Sequence, residues 1–223
     1  MKRYRINPER FPTGLLETLI AGRTMIPSRR SLKNDLHENF FVLEKAGIRN
    51  LKELFKALGN KKKIKEFSRK YCIGEPWLVL LKREAGSYIS KPFPLEKFPG
   101  IPFEYTEALR SGNISSTEDF FERMQAGEDL ENWSGITGIP LPRMKELYAL
   151  CDLSRINGVG PRFARILYQA GFTSVEQVAG SDAETQLRLY EKARERSHPD
   201  LPALSISDIQ YCIDFAKVIG HVV

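Results

Sequence analysis

Two arginines follow a glycine-rich turn in the last third of the chain, and these residues are the strongest candidates for chemistry. The run Gly158-Val159-Gly160-Pro161 precedes Arg162 and Arg165. Two glycines around one apolar residue allow a tight turn that buries Val159 and leaves the backbone open to close approach. Pro161 suits the first position of a helix, where its missing N–H costs nothing. The free amides and the dipole at such a helix start form a site for one phosphate.

The two arginines extend this predicted phosphate site. Because Arg162 and Arg165 are three residues apart, we expect them on one helix face, where they would hold flanking backbone charge of a nucleic acid. The same glycine turn also occurs between packed helices that bind nothing, as a plain αα-hairpin. The residues alone leave both interpretations open.

A cluster of lysines in the first part of the chain is the second candidate for contact with a polyanion. It consists of Lys61, Lys62, Lys63 and Lys65, at the start of a predicted helix. Such a cluster is typical of a patch that follows phosphates without reading sequence, and equally of a solvated helix start.

The pattern around the glycine turn occurs twice, at an offset of 58 residues. The matching positions are Leu95, Phe98, Gly100, Ile101, Tyr105 and Leu109, then Leu153, Ile156, Gly158, Val159, Phe163 and Leu167. A glycine that fits a helix C-cap with positive φ follows three times, in Ala46-Gly47-Ile48, Ser111-Gly112-Asn113 and Ala170-Gly171-Phe172. Such self-similarity predicts a repeat architecture.

The apolar residues recur at spacings of three and four, so we predict an all-α fold of tandem helix-hairpin-helix repeats of about sixty residues. The predicted divisions are an arm over 1–31, a basic repeat over 32–92, an acidic repeat over 93–150 and a third repeat over 151–223. In the first repeat, Asn34 and Asp35 stand where the glycines are expected. In the second, Glu104 and Glu107 replace the arginines and would repel a phosphate.

Composition narrows the class of protein. Residues 1–92 carry 21 Lys and Arg against 9 Asp and Glu, a net +12, whereas residues 93–223 carry 13 against 19, a net −6. The basic part favours a polyanion or an acidic partner. No apolar run has the length of a signal peptide or a membrane span, so we expect a cytoplasmic protein without membrane contact. Three cysteines and three isolated histidines predict neither a disulfide framework nor a metal site.

Catalysis is not expected, and no cofactor motif is present. One enzyme class carries a similar turn: base-excision glycosylases place a catalytic aspartate about twenty residues beyond it, where Asp182 stands. The apolar run expected before that aspartate is missing, and Ser181-Asp182 fits a helix N-cap better. We therefore predict a non-catalytic protein.

The C-terminal part resembles a prokaryotic domain family of unknown function that is made of tandem helix-hairpin-helix, SAM-like units. The resemblance covers residues 93–223 and rests on Asp152-Leu153, Arg155-Ile156, Gly158-Val159-Gly160, Ala170-Gly171-Phe172, Val175, Ile213 and Ala216-Lys217. It implies a helical fold without an assigned reaction. Related hairpins bind the DNA backbone without reading bases, sometimes with a monovalent cation on the turn carbonyls, and this implication carries over to Gly158, Gly160, Arg162 and Arg165.

Two hypotheses of function follow. In the first, the protein binds nucleic-acid backbone, DNA rather than RNA, through the third hairpin and the basic first repeat, with sequence-tolerant and salt-dependent affinity. In the second, the repeats form a scaffold for protein partners, and the acidic middle hairpin favours this alternative.

Overall fold

The computed structural model describes residues 3–222, and in these residues the regular structure is helical. The α-helices are α1 (Thr13–Gly22), α2 (Leu36–Lys45), α3 (Leu51–Ala57), α4 (Lys61–Tyr71), α5 (Glu75–Ser87), α6 (Phe103–Ser111), α7 (Thr117–Gln125), α8 (Leu130–Thr137), α9 (Leu141–Leu153), α10 (Pro161–Gln169), α11 (Val175–Ala179), α12 (Ala183–Ser197) and α13 (Ile206–Val222). Short 3-10 helices span Pro27–Lys33 and Leu95–Lys97. The predicted all-α class is confirmed. Residues 1, 2 and 223, at the ends of the predicted arm and third repeat, lie outside the described residues.

The chain divides into two compact units, which we describe separately. The N-terminal unit contains residues 6–89 with Val222, and the C-terminal unit contains residues 3–5 and 90–221. The division at Ile89 and Ser90 falls near the predicted boundary at residue 92. The further division into three repeats stays a prediction.

The N-terminal unit is built from α1 to α5. Helix α1 packs against α2, and α4 packs against α5. The chain before α1 pairs with the chain before α3, because Leu51 N donates to Phe11 O and Thr13 N donates to Arg49 O, at 3.1 and 2.9 Å. Much of the segment predicted as an arm is therefore folded: Phe11 and Leu16 are fully buried. Asp35, expected in place of a glycine, has a positive φ of 49° directly before α2.

The core of the C-terminal unit lies around α9, which packs against α7, α8 and α10. Its buried cluster is Leu95, Leu109, Ile114, Phe120, Trp133, Ile139, Met144, Leu147 and Cys151. The end of α9 leads directly into the Gly158 turn and is held by Asp152. Asp152 Oδ1 accepts from Arg155 Nη1 at 2.6 Å, and Oδ2 accepts from the Val175 backbone N–H at 2.7 Å. These bonds fix the chain on both sides of α10.

The glycine after α6 differs from its prediction. Gly112 has a φ of −93°, and the next residue, Asn113, takes the positive φ of 60°. A Cβ at Gly112 would lie 2.5 Å from the Trp133 ring. Gly112 is therefore required by the close approach of this ring, while asparagine tolerates the left-handed conformation. The predicted positive φ is confirmed at Gly47 and Gly171, at 82° and 99°.

Several helix starts are capped by short polar side chains, and the N-cap predicted at Ser181-Asp182 is confirmed at Asp182. Asp182 Oδ1 accepts from Thr185 N at 2.8 Å, and Ser205 Oγ accepts from Asp208 N at 3.2 Å. Asn50, Ser116 and Ser174 cap α3, α7 and α11 in the same way, each accepting from the backbone N–H three residues later. In each of these three caps the residue three positions later also accepts from the backbone just before the helix. Such reciprocal caps fix where each helix begins.

Candidate nucleic-acid interface

The Gly158 turn has the backbone that the sequence predicts. Gly158 is exposed with a φ of 86°, a conformation that glycine adopts without steric cost. Val159 is only 2% exposed, and its N–H donates to Ile156 O at 3.0 Å. Gly160 then takes an extended conformation as the N-cap of α10. The turn thus buries its apolar residue and leaves its backbone at the surface.

The start of α10 carries unpaired backbone donors. Pro161 occupies the first turn and no side chain caps the helix. Among the described residues, the N–H groups of Gly160, Arg162 and Phe163 have no acceptor. The first turn contains no acidic side chain. Donors left open at a positive helix end are suited to an anion.

Arg162 lies at the surface beside these donors. Its side chain is 48% exposed and forms an ion pair with Asp200, which is more exposed still. The hydrogen bond from Arg162 lowers the pKa of Asp200 below its ordinary value. Ion pairs between exposed side chains contribute little to stability. Arg162 can therefore exchange this partner for a phosphate at low cost.

Arg165 does not share the surface with Arg162, in contrast to the expectation of one basic face. The residue is only 5% exposed, and its Nη1 donates to Glu146 Oε1 on α9. Arg143 Nη1 donates to Glu146 Oε2 at 2.7 Å. Burial raises the pKa of Glu146, but the hydrogen bonds from Arg165 and Arg143 outweigh it, and the pKa is lowered. Arg165 thus holds α10 against α9 and is not available beside the turn.

An apolar cavity of about 360 Å³ borders the same helix start. Its walls include Pro161, Phe163, Tyr190, Leu201 and Leu204. The rings of Phe163 and Tyr190 meet edge to face at 5.1 Å between centroids. The residues with open backbone N–H groups, Gly160, Arg162 and Phe163, therefore also line this apolar cavity.

The predicted lysine cluster lies on α4 of the N-terminal unit. Lys61, Lys62, Lys63 and Lys65 are all exposed, and Ile64 between them is buried. Asn60 caps the helix by accepting from Lys63 N at 3.0 Å. Cations in a first turn oppose the helix dipole, and α4 has no acidic residue there. The lysines therefore do not serve the stability of α4.

The middle hairpin has the same turn and the opposite charge. Gly100 has a φ of 77°, close to that of Gly158. Glu104 and Glu107, on α6, are exposed. Glu107 accepts from Arg110, whose Nη2 also donates to Glu96 at 2.7 Å. Repulsion of a phosphate by these exposed carboxylates stays a prediction.

The residues considered for catalysis or metal binding cap a helix or form a surface ion pair. Asp182 is the N-cap of α12, and its hydrogen bonds with Thr185 lower its pKa. His198 is the C-cap of the same helix, and His37 Nδ1 donates to Glu17 Oε1 on the surface at 3.0 Å. Among the residues that the structure describes, no group of three or more His, Cys, Asp or Glu is arranged to hold a metal ion.

Sequence reasoning missed two residues of this region, Glu146 and Asp200. Glu146 lies nineteen positions before Arg165, and Asp200 lies 38 positions after Arg162. No local pattern links such distant residues. The one sequence pattern that indicates an ion pair here is the spacing of Arg143 and Glu146, which are three residues apart on a helix.

In residues 3–222 the geometry is that of an all-helical protein with an exposed glycine turn before the uncapped start of α10. The chain belongs to a family of unknown function: the family model described as Domain of unknown function (DUF4332) matches residues 99–217, more than half of the 223 residues. The match lies entirely within residues 93–223, the stretch that carries the resemblance. No curated protein and no solved structure matches the chain. None of the described helices has the length and apolarity to cross a membrane.

Proposed function

We propose that this protein binds nucleic-acid backbone, DNA rather than RNA, without catalysis and without strong sequence specificity. The carrying observation is the start of α10, where the N–H groups of Gly160, Arg162 and Phe163 have no acceptor among residues 3–222. These three donors are suited to the oxygens of one phosphate group at the positive end of a helix. Such contacts position a backbone and carry no base information.

Two features add to this site. Arg162 supplies a charge that only an exposed ion pair with Asp200 occupies. The exposed α4 lysines form a second phosphate-binding surface on the N-terminal unit. Each surface is proposed on its own, and Arg165 is left out because it is buried against Glu146.

The proposal includes tandem helix-hairpin-helix units, and three correspondences support it. A residue with positive φ lies shortly before α2, α6 and α10, namely Asp35, Gly100 and Gly158. A polar N-cap starts the next helix each time, at Asn50, Ser116 and Ser174. The chain pairing of Phe11 with Leu51 is repeated by Phe93 with Thr117, whose N–H donates to Phe93 O at 2.9 Å. On this proposal, the first helix-hairpin-helix repeat begins near Phe11.

Fluorescence anisotropy with a labelled DNA duplex tests the proposal. We expect binding at about 50 mM salt that weakens steeply by about 200 mM. Arg162→Glu should weaken binding about tenfold, because it removes a cation and adds a charge that repels phosphate. Arg188→Glu is the matched control, since Arg188 is exposed on α12 of the same unit. Absent binding at low salt, or equal losses in both variants, contradicts the α10 site.

The α4 surface has its own readout. Changing Lys61, Lys62, Lys63 and Lys65 to glutamine should lower the slope of log affinity against log salt by up to about 0.9 for each phosphate that α4 no longer neutralises. An unchanged slope removes α4 from the proposal and leaves the α10 site standing.

One observation favours the scaffold as a second candidate. Phe103 and Ile136, both near the middle hairpin, are large apolar side chains with exposures of 65% and 66%. Phe103 directly precedes Glu104 in α6, and an acidic helix start with an exposed apolar side chain fits a basic protein partner, such as the α4 surface of a second copy. Sedimentation velocity tests this: self-association that Phe103→Ser abolishes supports the scaffold, and a monomer at all concentrations rejects that partner.

A further inference from the structure

A second cavity of the C-terminal unit contains a buried guanidinium that is only partly satisfied. The cavity has a volume of about 390 Å³ and is lined by Pro99, Gly100, Arg143, Glu146, Arg165, Gln169, Ser197 and His198. Arg165 donates through Nη1 to Glu146. Its Nε and Nη2 are buried and have no hydrogen-bond partner in the described part of the chain. Buried donors without an acceptor are costly, so their presence points to a ligand.

The two unpartnered donors lie on one edge of the guanidinium. Nε–H and one N–H of Nη2 form the planar fork that receives two oxygens of a single anion. This protein uses the same edge elsewhere: Arg5 donates through Nε and Nη2 to the two oxygens of Glu118, at 2.9 and 2.6 Å. The corresponding edge of Arg165 therefore has the donor geometry of a complete bidentate anion site.

Gly100 of the middle glycine turn lies against this guanidinium. A Cβ built at Gly100 would lie 3.6 Å from Nη2 of Arg165, which is an ordinary van der Waals distance. Glycine therefore places no side chain between the turn and the guanidinium at this wall of the cavity. Gly100 has a positive φ of 77°, so its backbone also excludes most other residues at this position.

The charges around the cavity favour an anion with more than two oxygens. Glu146 is the one carboxylate in the lining, and its two oxygens already accept from Arg165 and Arg143. The remaining lining groups include the Arg143 guanidinium, the His198 imidazole, the Ser197 hydroxyl and the Gln169 amide. These groups supply positive charge and further donors, which a phosphate uses more fully than a carboxylate.

We infer that this cavity binds a phosphate monoester group, with Nε and Nη2 of Arg165 as its bidentate donors. Such a group occurs in free phosphate compounds and at the phosphorylated end of a nucleic acid. The inference does not rest on the function proposed above, because that site uses the amides at the start of α10 and not Arg165.

Titration of the full chain with inorganic phosphate, observed through arginine Nε–Hε signals in ¹H–¹⁵N spectra, tests the inference. We expect one arginine signal to shift saturably and to be missing from the spectrum of Arg165→Lys. Lysine keeps a charge for Glu146 and lacks the fork, so this variant should bind phosphate at least about tenfold more weakly. Arg162→Glu is the control, which weakens the α10 site and should leave this affinity within about twofold.

Three further ligands define the chemistry of the site. Acetate should bind much more weakly than phosphate. An oligonucleotide with a 5′-phosphate that binds here more tightly than its 5′-hydroxyl counterpart assigns the site to nucleic-acid ends, and phosphate binding without that preference assigns it to free phosphate compounds. No saturable shift of the Arg165 signal, or equal binding of acetate, overturns the inference. The wild-type titration decides the matter even where Arg165→Lys is poorly folded.

Discussion

The two glycine turns of the C-terminal unit share a backbone and differ in the charges that follow it. Gly100 and Gly158 have φ values of 77° and 86°. Exposed carboxylates follow the first turn on α6, whereas Arg162 follows the second on α10, and neither helix has a side-chain cap. We therefore expect the side chains of the next helix, and not the turn backbone alone, to decide whether such a turn binds an anion.

The two turns also differ in what they do for Arg165. The Gly158 turn starts the helix that carries this arginine, and Gly100 lies against its guanidinium. Glu146 on α9 completes the arrangement. A residue that looks like a surface cation in the sequence is therefore an internal contact between α9 and α10.

Loss of the buried carboxylate should have the largest effect on stability. Glu146→Ala leaves the Arg165 guanidinium buried without its partner, and we expect a loss of ~3–5 kcal/mol in the free energy of unfolding. Glu104→Ala, at an exposed position of α6, should change it by less than ~0.5 kcal/mol. Urea unfolding followed by circular dichroism measures both. Similar small losses would mean that Glu146 and Arg165 are not a buried pair.

The Gly158 turn should tolerate alanine at one glycine and not at the other. Gly158→Ala forces a Cβ into the left-handed region and should cost ~1–2 kcal/mol. Gly160→Ala has open space around it and a φ of −86°, so we expect a change near zero. Thermal unfolding of the two variants checks the difference. Equal midpoints would contradict the positive φ at Gly158.

Acid should weaken the contact of Glu146 with Arg165. The folded-state pKa of Glu146 is lowered, so its contribution to stability is complete above the unfolded value of about 4.3 and is lost as the pH falls through the folded value. Wild-type protein should therefore lose more stability on acidification than Glu146→Gln, while Glu104→Gln should behave like wild type. A Glu146→Gln curve parallel to wild type over about pH 6 to 3 would refute this.

The exposed pair at the α10 start should have the smallest effect. Asp200→Asn frees Arg162 from its ion pair, and we expect duplex DNA to bind about two- to threefold more tightly at low salt with little change in stability. Anisotropy titrations measure the gain. Weaker binding would mean that Asp200 orients Arg162 for its ligand.

Local patterns predicted much of the helical fold. Apolar spacing indicated the helices, and the pair Ser181-Asp182 located the N-cap at Asp182. The turn at Val159 followed from its two glycines. These features depend on neighbours within about four residues, which a sequence shows directly.

The remaining features depend on distant residues. Gly112 is fixed by Trp133, twenty-one positions later, and Arg165 is buried by Glu146. The first helix of the N-terminal unit falls in the predicted arm because Phe11 pairs with Leu51 across forty residues. Sequence spacing carries no signal for such contacts, and the site was accordingly predicted with one arginine too many on its surface.

The central claim is that nucleic-acid backbone contacts the open amides at the start of α10 and not the start of α6. Backbone ¹H–¹⁵N spectra of the full chain, titrated at low salt with a short DNA duplex that has 5′-hydroxyl ends, test it most directly. The account predicts that the largest shifts in the C-terminal unit fall on Gly160, Arg162 and Phe163, with little change at Gly100 or Glu104. Shifts centred on α6, or none at the start of α10, would contradict it.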